Sequence, residues 1–334
     1  MTITATEQDA ATTPAGTAGT NTTPAPQVSP WRPFRIVVAR VQQLSPAFLR
    51  ITFTGEDLDQ FGHDGPDQRI KLYIPRAGQD LPEFSGPDWY LQYRAMDPAV
   101  RGSVRTYTIR AVRPEQRELD VDFVLHGHGD LGPTGPAAIW AATASVGDEL
   151  AAIGPNRLHD GDCRGHEWNP PPAARDILIA GDETAVPAIG GILDTLTHAQ
   201  TAARVRVFLE VPAPADVLDL PAPEHTEITW LPRQLPDGTA VPHGQRLVEA
   251  VSAATFDAPA STLDHSSLVD TVDIDLEVLW EVAAGTSSTV YAWVAGEAGA
   301  VKAIRRHLVR ERGIDKRAVT FMGYWRLGRS LDDG

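Results

Sequence analysis

The amino-acid sequence predicts a β plus α/β protein of two domains, a six-stranded antiparallel β-barrel followed by an α/β domain with a mainly parallel sheet. Three observations carry this expectation. Short runs rich in β-branched and aromatic residues, separated by turn signals, fill the first half. In the second half apolar runs alternate with helical patterns, the order of βαβ units. Between them the stretch Asn169-Pro170-Pro171-Pro172 marks a change of composition.

The barrel strands are read at residues 34–40, 48–54, 69–74, 104–110, 119–125 and 149–153, with Ser45-Pro46 and Val146-Gly147-Asp148 as punctuation. Six short strands favour closure, which removes exposed edges. One helix is read at about 136–144. The second domain begins with Asp176-Ile-Leu-Ile-Ala-Gly181, an apolar run ending in glycine, followed by a helix over 185–196. Further strands are read at 204–210, 227–231, 290–296 and 318–323, with helices at about 244–255 and 297–312. The domains therefore span 31–168 and 173–330. Residues 1–30, rich in Thr, Ala, Pro and Gly, are expected to be a disordered tail, because they cannot bury enough apolar surface to offset ordering. The acidic stretch 256–289 is expected to be an insertion or long loop.

Composition excludes several function classes. The chain of 334 residues has a formal net charge of −15, which opposes nonspecific binding to nucleic acid or anionic lipid. Its one cysteine, Cys163, allows no intramolecular disulfide and no Cys-ligated zinc or iron–sulfur cluster within the chain. No apolar run reaches the roughly 20 residues of a membrane-spanning helix. The N-terminus has neither a basic leader nor an apolar core, so a cytoplasmic location is expected.

Four segments carry chemistry. In Arg105-Thr106-Tyr107-Thr108-Ile109-Arg110, strand alternation puts Arg105, Tyr107 and Ile109 on one face and Thr106, Thr108 and Arg110 on the other. A flavin needs an aromatic ring against its isoalloxazine, a hydroxyl or N–H near N5 and a cation at its phosphates, and this hexapeptide holds all three types. The plainer reading is a barrel strand with surface arginines and a packed tyrosine. Second, His126-Gly-His-Gly-Asp130 and Gly132 to Trp140 lead glycines and a proline into a helix, whose N-terminal N–H groups suit a pyrophosphate. His126, His128 and Asp130 lack a further strong ligand nearby, so no metal is expected.

Third, Gly181-Asp182-Glu183-Thr184 joins the first parallel strand to its helix, the place where open α/β sheets bind nucleotides. It is not a GxGxxG turn, and Asp182 or Thr184 could equally be a helix cap. Glu210, ending the second parallel strand, favours a ribose hydroxyl and hence NADH over NADPH. Fourth, Trp293-Val-Ala-Gly-Glu297, the basic helix with Lys302, Arg305 and Arg306, and Gly323-Tyr-Trp-Arg-Leu-Gly328 close the chain. Spacing lets the three cations share one helix face, which is either a site for an anion or solvated surface.

In this order, RTYTIR at 105–110, GPAAIWA at 135–141, GDETAVPAI at 181–189, AGE at 295–297 and GYWRLGR at 323–329 resemble the siderophore-interacting protein family of FAD-dependent ferric-siderophore reductases, within the ferredoxin-reductase-like class. The resemblance covers 31–330 apart from the acidic stretch. It implies that FAD is held by Arg105, Thr106, Tyr107 and Thr108, with Tyr107 stacked on the ring and Thr108 near N5. His126, Gly135, Pro136, Ala137 and Trp140 would complete the FAD site. Gly181, Asp182, Glu183, Thr184 and Glu297 would border a nicotinamide. Lys71 would face the open side of the flavin. Independently of the resemblance, the shared helix face of Lys302, Arg305 and Arg306 in an otherwise acidic chain makes these cations the candidates to hold an anionic ferric siderophore. NADH or NADPH is the implied donor, with ferredoxin as an alternative. A reductase of another acceptor, or a siderophore-binding module without redox chemistry, are the competing functions.

Overall fold

A computed structural model describes residues 28–125, 135–255 and 279–328. The expected tail up to residue 27, the call on His126, His128 and Asp130, and residues 256–278 of the acidic stretch lie outside the described residues.

The first domain is a closed barrel of β1 (Trp31–Gln43), β2 (Phe48–Thr54), β3 (Arg69–Ile74), β4 (Ser103–Arg113), β5 (Glu118–Val124) and β6 (Glu149–Pro155), in the order β1-β2-β5-β4-β3-β6. All its pairings are antiparallel. Alternation sorts the strands as expected. Phe34, Ile36, Phe53, Ile70, Leu72, Val121 and Phe123 fill the interior, each burial contributing about 1.5–3 kcal/mol. The outer face of β2 and β5 carries a polar ladder, in which Arg50 pairs bidentately with Asp122 and Thr52 donates to Asp120.

Two features position the site. Helix α1 (Trp89–Ala95), absent from the sequence expectation, lies in the β3–β4 connection. That connection covers Tyr73, Ala151 and Ile153 on the outside of the barrel. Helix α2 (Pro136–Thr143) packs Ala137 and Ala141 into the barrel core, with Trp140 beside Phe53 and Phe123.

The second domain is a six-stranded sheet, ordered β10-β12-β11-β7-β8-β9, of β7 (Asp176–Gly181), β8 (Arg204–Val211), β9 (Thr226–Pro232), β10 (Trp280–Glu281), β11 (Val290–Glu297) and β12 (Val319–Trp325). It is parallel except at β10, which runs antiparallel to β12. Thus the end of the acidic stretch supplies an edge strand. β7 is buried throughout, which explains its uninterrupted apolar sequence. Helix α3 (Val186–His198) packs on the sheet face that carries Ile177, Ile179, Tyr291 and Trp293, together with Ala47, Phe48 and Val124 of the barrel. Helices α4 (Gln245–Ala253) and α5 (Ala298–Arg305) cover the opposite face, over Leu178, Ala180, Ala292 and Val294. α5 widens into a π-helical turn over Arg306–Glu311, so the single helix expected to 312 changes its hydrogen-bonding pattern halfway.

The domains meet along β4 and α3. Arg110 forms an ion pair with Asp194 at 2.7 Å. At Gly191 a Cβ would lie 2.2 Å from the Pro66 carbonyl oxygen, so this close approach requires glycine.

Candidate functional site

β4 divides into two halves. Arg105 to Thr108 pair with β3 only, because the β4–β5 ladder begins at Ile109↔Val121 and shifts register before Ala111. The first half thus separates from β5, and α2 lies alongside both strands. Tyr107 sits in this opening with its ring 4.4 Å from Phe123, and Trp140 packs 5.7 Å from Phe123 on the other side. Burial first, opposed by Arg105, raises the Tyr107 pKa far above its ordinary value, so the phenol remains neutral. At the N-terminus of α2, Gly135 occupies the cap position without a side-chain hydrogen bond, and a Cβ there would meet nothing within 4 Å. The structure therefore brings Arg105, Tyr107, Pro136, Ala137 and Trp140 to one opening, with Gly135 at its rim.

The other face of β4 differs. Thr106 is exposed and Thr108 buried. Lys71 lies opposite Thr106 across the β3–β4 ladder and donates from Nζ to Thr106 Oγ1 at 2.6 Å. Partial burial first, then Arg69, lowers the Lys71 pKa, and the ammonium has no carboxylate partner among the described residues. Arg69 itself pairs with Glu167 and lies 4.3 Å over the Trp280 ring. Trp280 stacks on Tyr324, whose buried hydroxyl has no hydrogen-bond partner among the described residues.

At the carboxyl ends of the parallel strands, three sequence motifs lock together through one side chain. Asp182 accepts from Thr184 N and Thr184 Oγ1 on one oxygen, and from Glu297 N at 2.7 Å and Trp325 Nε1 at 2.9 Å on the other. Gly296 has φ 141°, and a Cβ there would lie 2.6 Å from Asp182 Oδ2, which explains the glycine before Glu297. Glu297 caps α5 through Ala300 N and also accepts from Leu327 N. Of the two expectations for this turn the structure bears out the cap, since Asp182 accepts from Thr184 N at the carboxyl end of β7.

Glu183 is 1% exposed and pairs bidentately with Arg233 at 2.7 and 2.8 Å. His243 lies edge-on to Trp325, with Nε2 3.5 Å from Glu183 and 3.8 Å from Asp182, and Nδ1 3.8 Å from Glu210. Burial pushes the Glu183 carboxyl up, but His243 and Arg233 outweigh it and bring its pKa down to about 2. Asp182 moves the other way, raised by burial and then by Glu183. His243 and Arg233 come from loops whose sequence carries no motif, and nothing in the sequence pairs them with Glu183.

Two expectations are corrected. Glu210 does not await a ribose. It is fully buried and accepts from Gly244 N at 2.7 Å and Leu247 N at 3.1 Å, so it caps α4 while also contacting Arg233 at 3.3 Å. It therefore gives no ground for NADH over NADPH. The cations of α5 do converge, with Lys302, Arg305, Arg306 and Arg310 lining one shallow depression. However, α5 covers the sheet face opposite α3 and the barrel, so these cations do not share a site with β4. Arg305 is also committed to Glu281, at 2.7 and 2.8 Å.

Comparison with known proteins agrees with this architecture. Residues 37–159 match the siderophore-interacting FAD-binding domain, and residues 174–328 match the siderophore-interacting protein domain. An uncharacterized protein of Mycobacterium tuberculosis is 34% identical over 305 residues, covering 90% of this chain and 92% of the relative. The chain belongs to the siderophore-interacting protein family. The family's ferric vibriobactin reductase of Vibrio cholerae is 29% identical over 294 residues, covering 87% of this chain and 88% of that protein. A siderophore utilization protein from T. fusca superposes with a TM-score of 0.67 at 30% identity, covering 91% of this chain and 96% of that one. In this siderophore-interacting protein the barrel is the FAD-binding domain, and the opening between β4 and β5 fits a flavin. It offers an aromatic wall in Tyr107 and Trp140, a cation in Arg105, and a helix N-terminus at Gly135 with no side-chain cap.

Proposed function

We propose that this protein is a ferric-siderophore reductase, taking electrons from NADH or NADPH and delivering them through FAD to Fe(III) in a siderophore, so that Fe(II) is released in the cytosol. The observation that carries the reading is β4 itself. One face lines an opening suited to a flavin, and the other holds Lys71, a cation with no carboxylate partner among the described residues. The kinship with a ferric vibriobactin reductase supports the same reading.

Bound FAD supplies the exchange between a two-electron hydride donor and one-electron acceptors. The residues of the chain do the rest. Tyr107 offers its ring as a wall for the isoalloxazine and Arg105 its charge to the pyrophosphate, assisted by Gly135, Pro136, Ala137 and Trp140, while the side chains of Thr106 and Thr108 lie on the other face of the strand, where Thr106 holds Lys71. Lys71 attracts the anionic chelate to the strand next to the flavin. Siderophores bind through hard oxygen donors, which suit Fe(III) better than Fe(II), so reduction weakens the chelate. Gly181, Thr184 and Glu297 border the nicotinamide, while Asp182 and Glu183 hold their turn in shape from within.

Reduced ferredoxin is the second donor reading, favoured by one observation. Asp182 already occupies the N–H and hydroxyl of Thr184 that a nucleotide phosphate would otherwise use. Anaerobic titration of the purified, yellow protein with NADH, NADPH and reduced ferredoxin, followed by addition of a ferric siderophore and a ferrous trap, tests the whole proposal. Bleaching by a nicotinamide and stoichiometric ferrous iron are expected. A protein that takes up no FAD, or a reduced flavin that is not reoxidised by the ferric chelate, overturns it.

A further inference from the structure

The imidazole of His243 stands among the buried charges of the second domain. Its side chain is 2% exposed, and neither ring nitrogen has a hydrogen-bond partner among the described residues. Three carboxylates face it at 3.5 to 3.8 Å, at or beyond the limit of a hydrogen bond. Asp182 and Glu183 of the β7–α3 turn face Nε2, and Glu210 at the end of β8 faces Nδ1. Arg233, just after β9, pairs with Glu183 and Glu210 in the same cluster. β12 contributes the uncharged Trp325 ring, and α5 approaches the neighbouring Gly244 through Ala300, with Glu297 turned to its own cap. A neutral imidazole therefore leaves three carboxylates against one guanidinium, and a proton on His243 supplies a second cation. Buried polar atoms are ordinarily hydrogen-bonded, so a ring with two unused nitrogens between carboxylates is suited to take up a proton there.

This cluster reaches the surface at one point. Gly181, Asp182 and Glu183 are buried, and Thr184 is the partly exposed residue of the turn. The Thr184 N–H and hydroxyl both donate to Asp182 Oδ1, while Asp182 Oδ2 lies 3.8 Å from His243 Nε2. A phosphate arriving at Thr184 thus meets a carboxylate behind it, with the imidazole on the far side of that carboxylate. Further negative charge beside buried carboxylates is unfavourable, and a charged His243 opposes that cost through Asp182.

We propose that His243 is a positioning residue for the nicotinamide nucleotide, taking up a proton from solvent as the pyrophosphate reaches the Asp182 turn and so making donor binding proton-linked. The proposal rests on the nicotinamide reading above and adds its regulation. The coupling is reciprocal, because a nucleotide that favours the charged ring is itself bound better by the charged form. Burial opposes the charge on His243, but Glu183 and Asp182 raise its pKa above the ordinary value, so donor affinity falls as pH rises above about 6.5.

The test is equilibrium titration of the oxidised, FAD-loaded full chain with tetrahydro-NADH and tetrahydro-NADPH, which carry the pyrophosphate but cannot give a hydride, at successive pH values from about 6 upward. Calorimetry in two buffers of different ionisation enthalpy counts the protons taken up. The unaltered protein is expected to lose about fivefold or more in affinity as pH rises and to take up part of a proton on binding. His243→Gln is expected to bind at low pH as weakly as the unaltered protein does at high pH, and to vary by no more than about twofold with pH. A merely structural role would instead weaken binding equally at every pH. Glu183→Gln removes one carboxylate that faces the ring and is expected to move the midpoint of proton uptake to lower pH. If His243→Gln does not retain FAD, Glu183→Gln and the proton count of the unaltered protein decide. An affinity independent of pH, no proton uptake, an undiminished pH dependence in His243→Gln, or an unmoved midpoint in Glu183→Gln overturns the coupling and leaves the donor reading in place. Failure of the unaltered protein to bind either nucleotide at any pH overturns the donor reading and the coupling with it.

Discussion

The indole Nε1 of Trp293 donates to Asp67 Oδ2 at 3.1 Å, joining residues 226 positions apart in the sequence and belonging to different domains. The other Asp67 contacts complete a clamp, since its carboxylate also accepts from the backbone N–H groups of Glu167 and Trp168 in the interdomain connection. Asp67 is 1% exposed, so removing its carboxylate leaves three donors without an acceptor in a place water hardly reaches. Each such loss costs about 1–3 kcal/mol. Asp67→Ala is therefore expected to lower stability by at least about 2 kcal/mol. Urea unfolding, followed by tryptophan fluorescence and by flavin release, should show the two domains parting into separate transitions where the unaltered chain shows one.

Flavin retention tests the opening in β4. Tyr107 packs on Phe123 and Trp140 closes the same opening, so both walls are aromatic. Tyr107→Ala is expected to reduce the FAD bound per chain at least about tenfold at equal flavin concentration, a loss of about 1.4 kcal/mol or more. Tyr107→Phe should keep most of it, because the ring and not the neutral phenol makes the wall. Visible absorbance of the purified variants, with far-ultraviolet circular dichroism to confirm folding, measures both.

Much of this fold was legible in the sequence because the signals were local. Alternation in Arg105–Arg110 and the uninterrupted apolar run of Asp176–Gly181 report their burial directly, one half-covered and one covered on both faces. Helix α1 was not legible, since Trp89–Ala95 is only about two turns long and its one packed face, Trp89 and Tyr93, is half-buried, too short a run for a 3.6-residue period to stand out. The site was read in part. Asp182, Glu297 and Trp325 each lie within a recognised motif, but that they meet at one carboxylate follows only from the parallel register of β7, β11 and β12. Arg233 and His243 reach Glu183 from loops, where spacing carries no periodic information. Glu210 misled because an acid at a strand end has two uses, and only the position of α4 shows that it is a helix cap.

Lys71 gives a kinetic prediction. Its ammonium is partly dehydrated and hydrogen-bonded only to Thr106 among the described residues. A charge-assisted contact to an anionic chelate is worth about 1.5–3 kcal/mol, less where water screens it. Lys71→Met is expected to raise KM for an anionic ferric siderophore about tenfold while leaving the FAD content and the rate of flavin reduction by the donor unchanged. Added salt should narrow the difference between the two proteins. Steady-state ferrous-trap assays at two ionic strengths measure it.

The basic helix gives the opposite expectation. Lys302 and Arg306 are carried by the helical segment that covers the sheet face turned away from the barrel, and among the described residues Arg306 makes a single ion-pair contact, 3.8 Å to Glu311 at the surface. Lys302→Ala/Arg306→Ala should therefore leave KM for the ferric siderophore within about twofold, since at this remove from β4 salt screens most of their charge. A large rise in KM in the same assay would show that the chelate reaches around the sheet edge to α5.

His243 sets the pH dependence of the second domain. Burial disfavours its charge, but Glu183 and Asp182 more than offset that, so its pKa in the folded protein lies above the ordinary value of about 6.5. A raised folded-state pKa means that the folded form binds the proton more tightly than the unfolded chain does. The stabilisation is therefore complete below about pH 6.5 and is lost as pH rises through the raised value. Asp182, raised from 3.8, acts in the same direction at lower pH, whereas the stabilisation from Glu183, lowered to about 2, is complete above about pH 4.5 and is lost as pH falls toward 2. Thermal melts of the FAD-loaded protein should thus show a midpoint that falls as the pH rises above about 6.5. In His243→Gln the neutral amide keeps the packing against Trp325 but cannot carry the charge, so that fall should flatten even though the variant is less stable at pH 6. An undiminished alkaline slope in His243→Gln would move the proton to another group and remove His243 from the account of how the Asp182 turn is held.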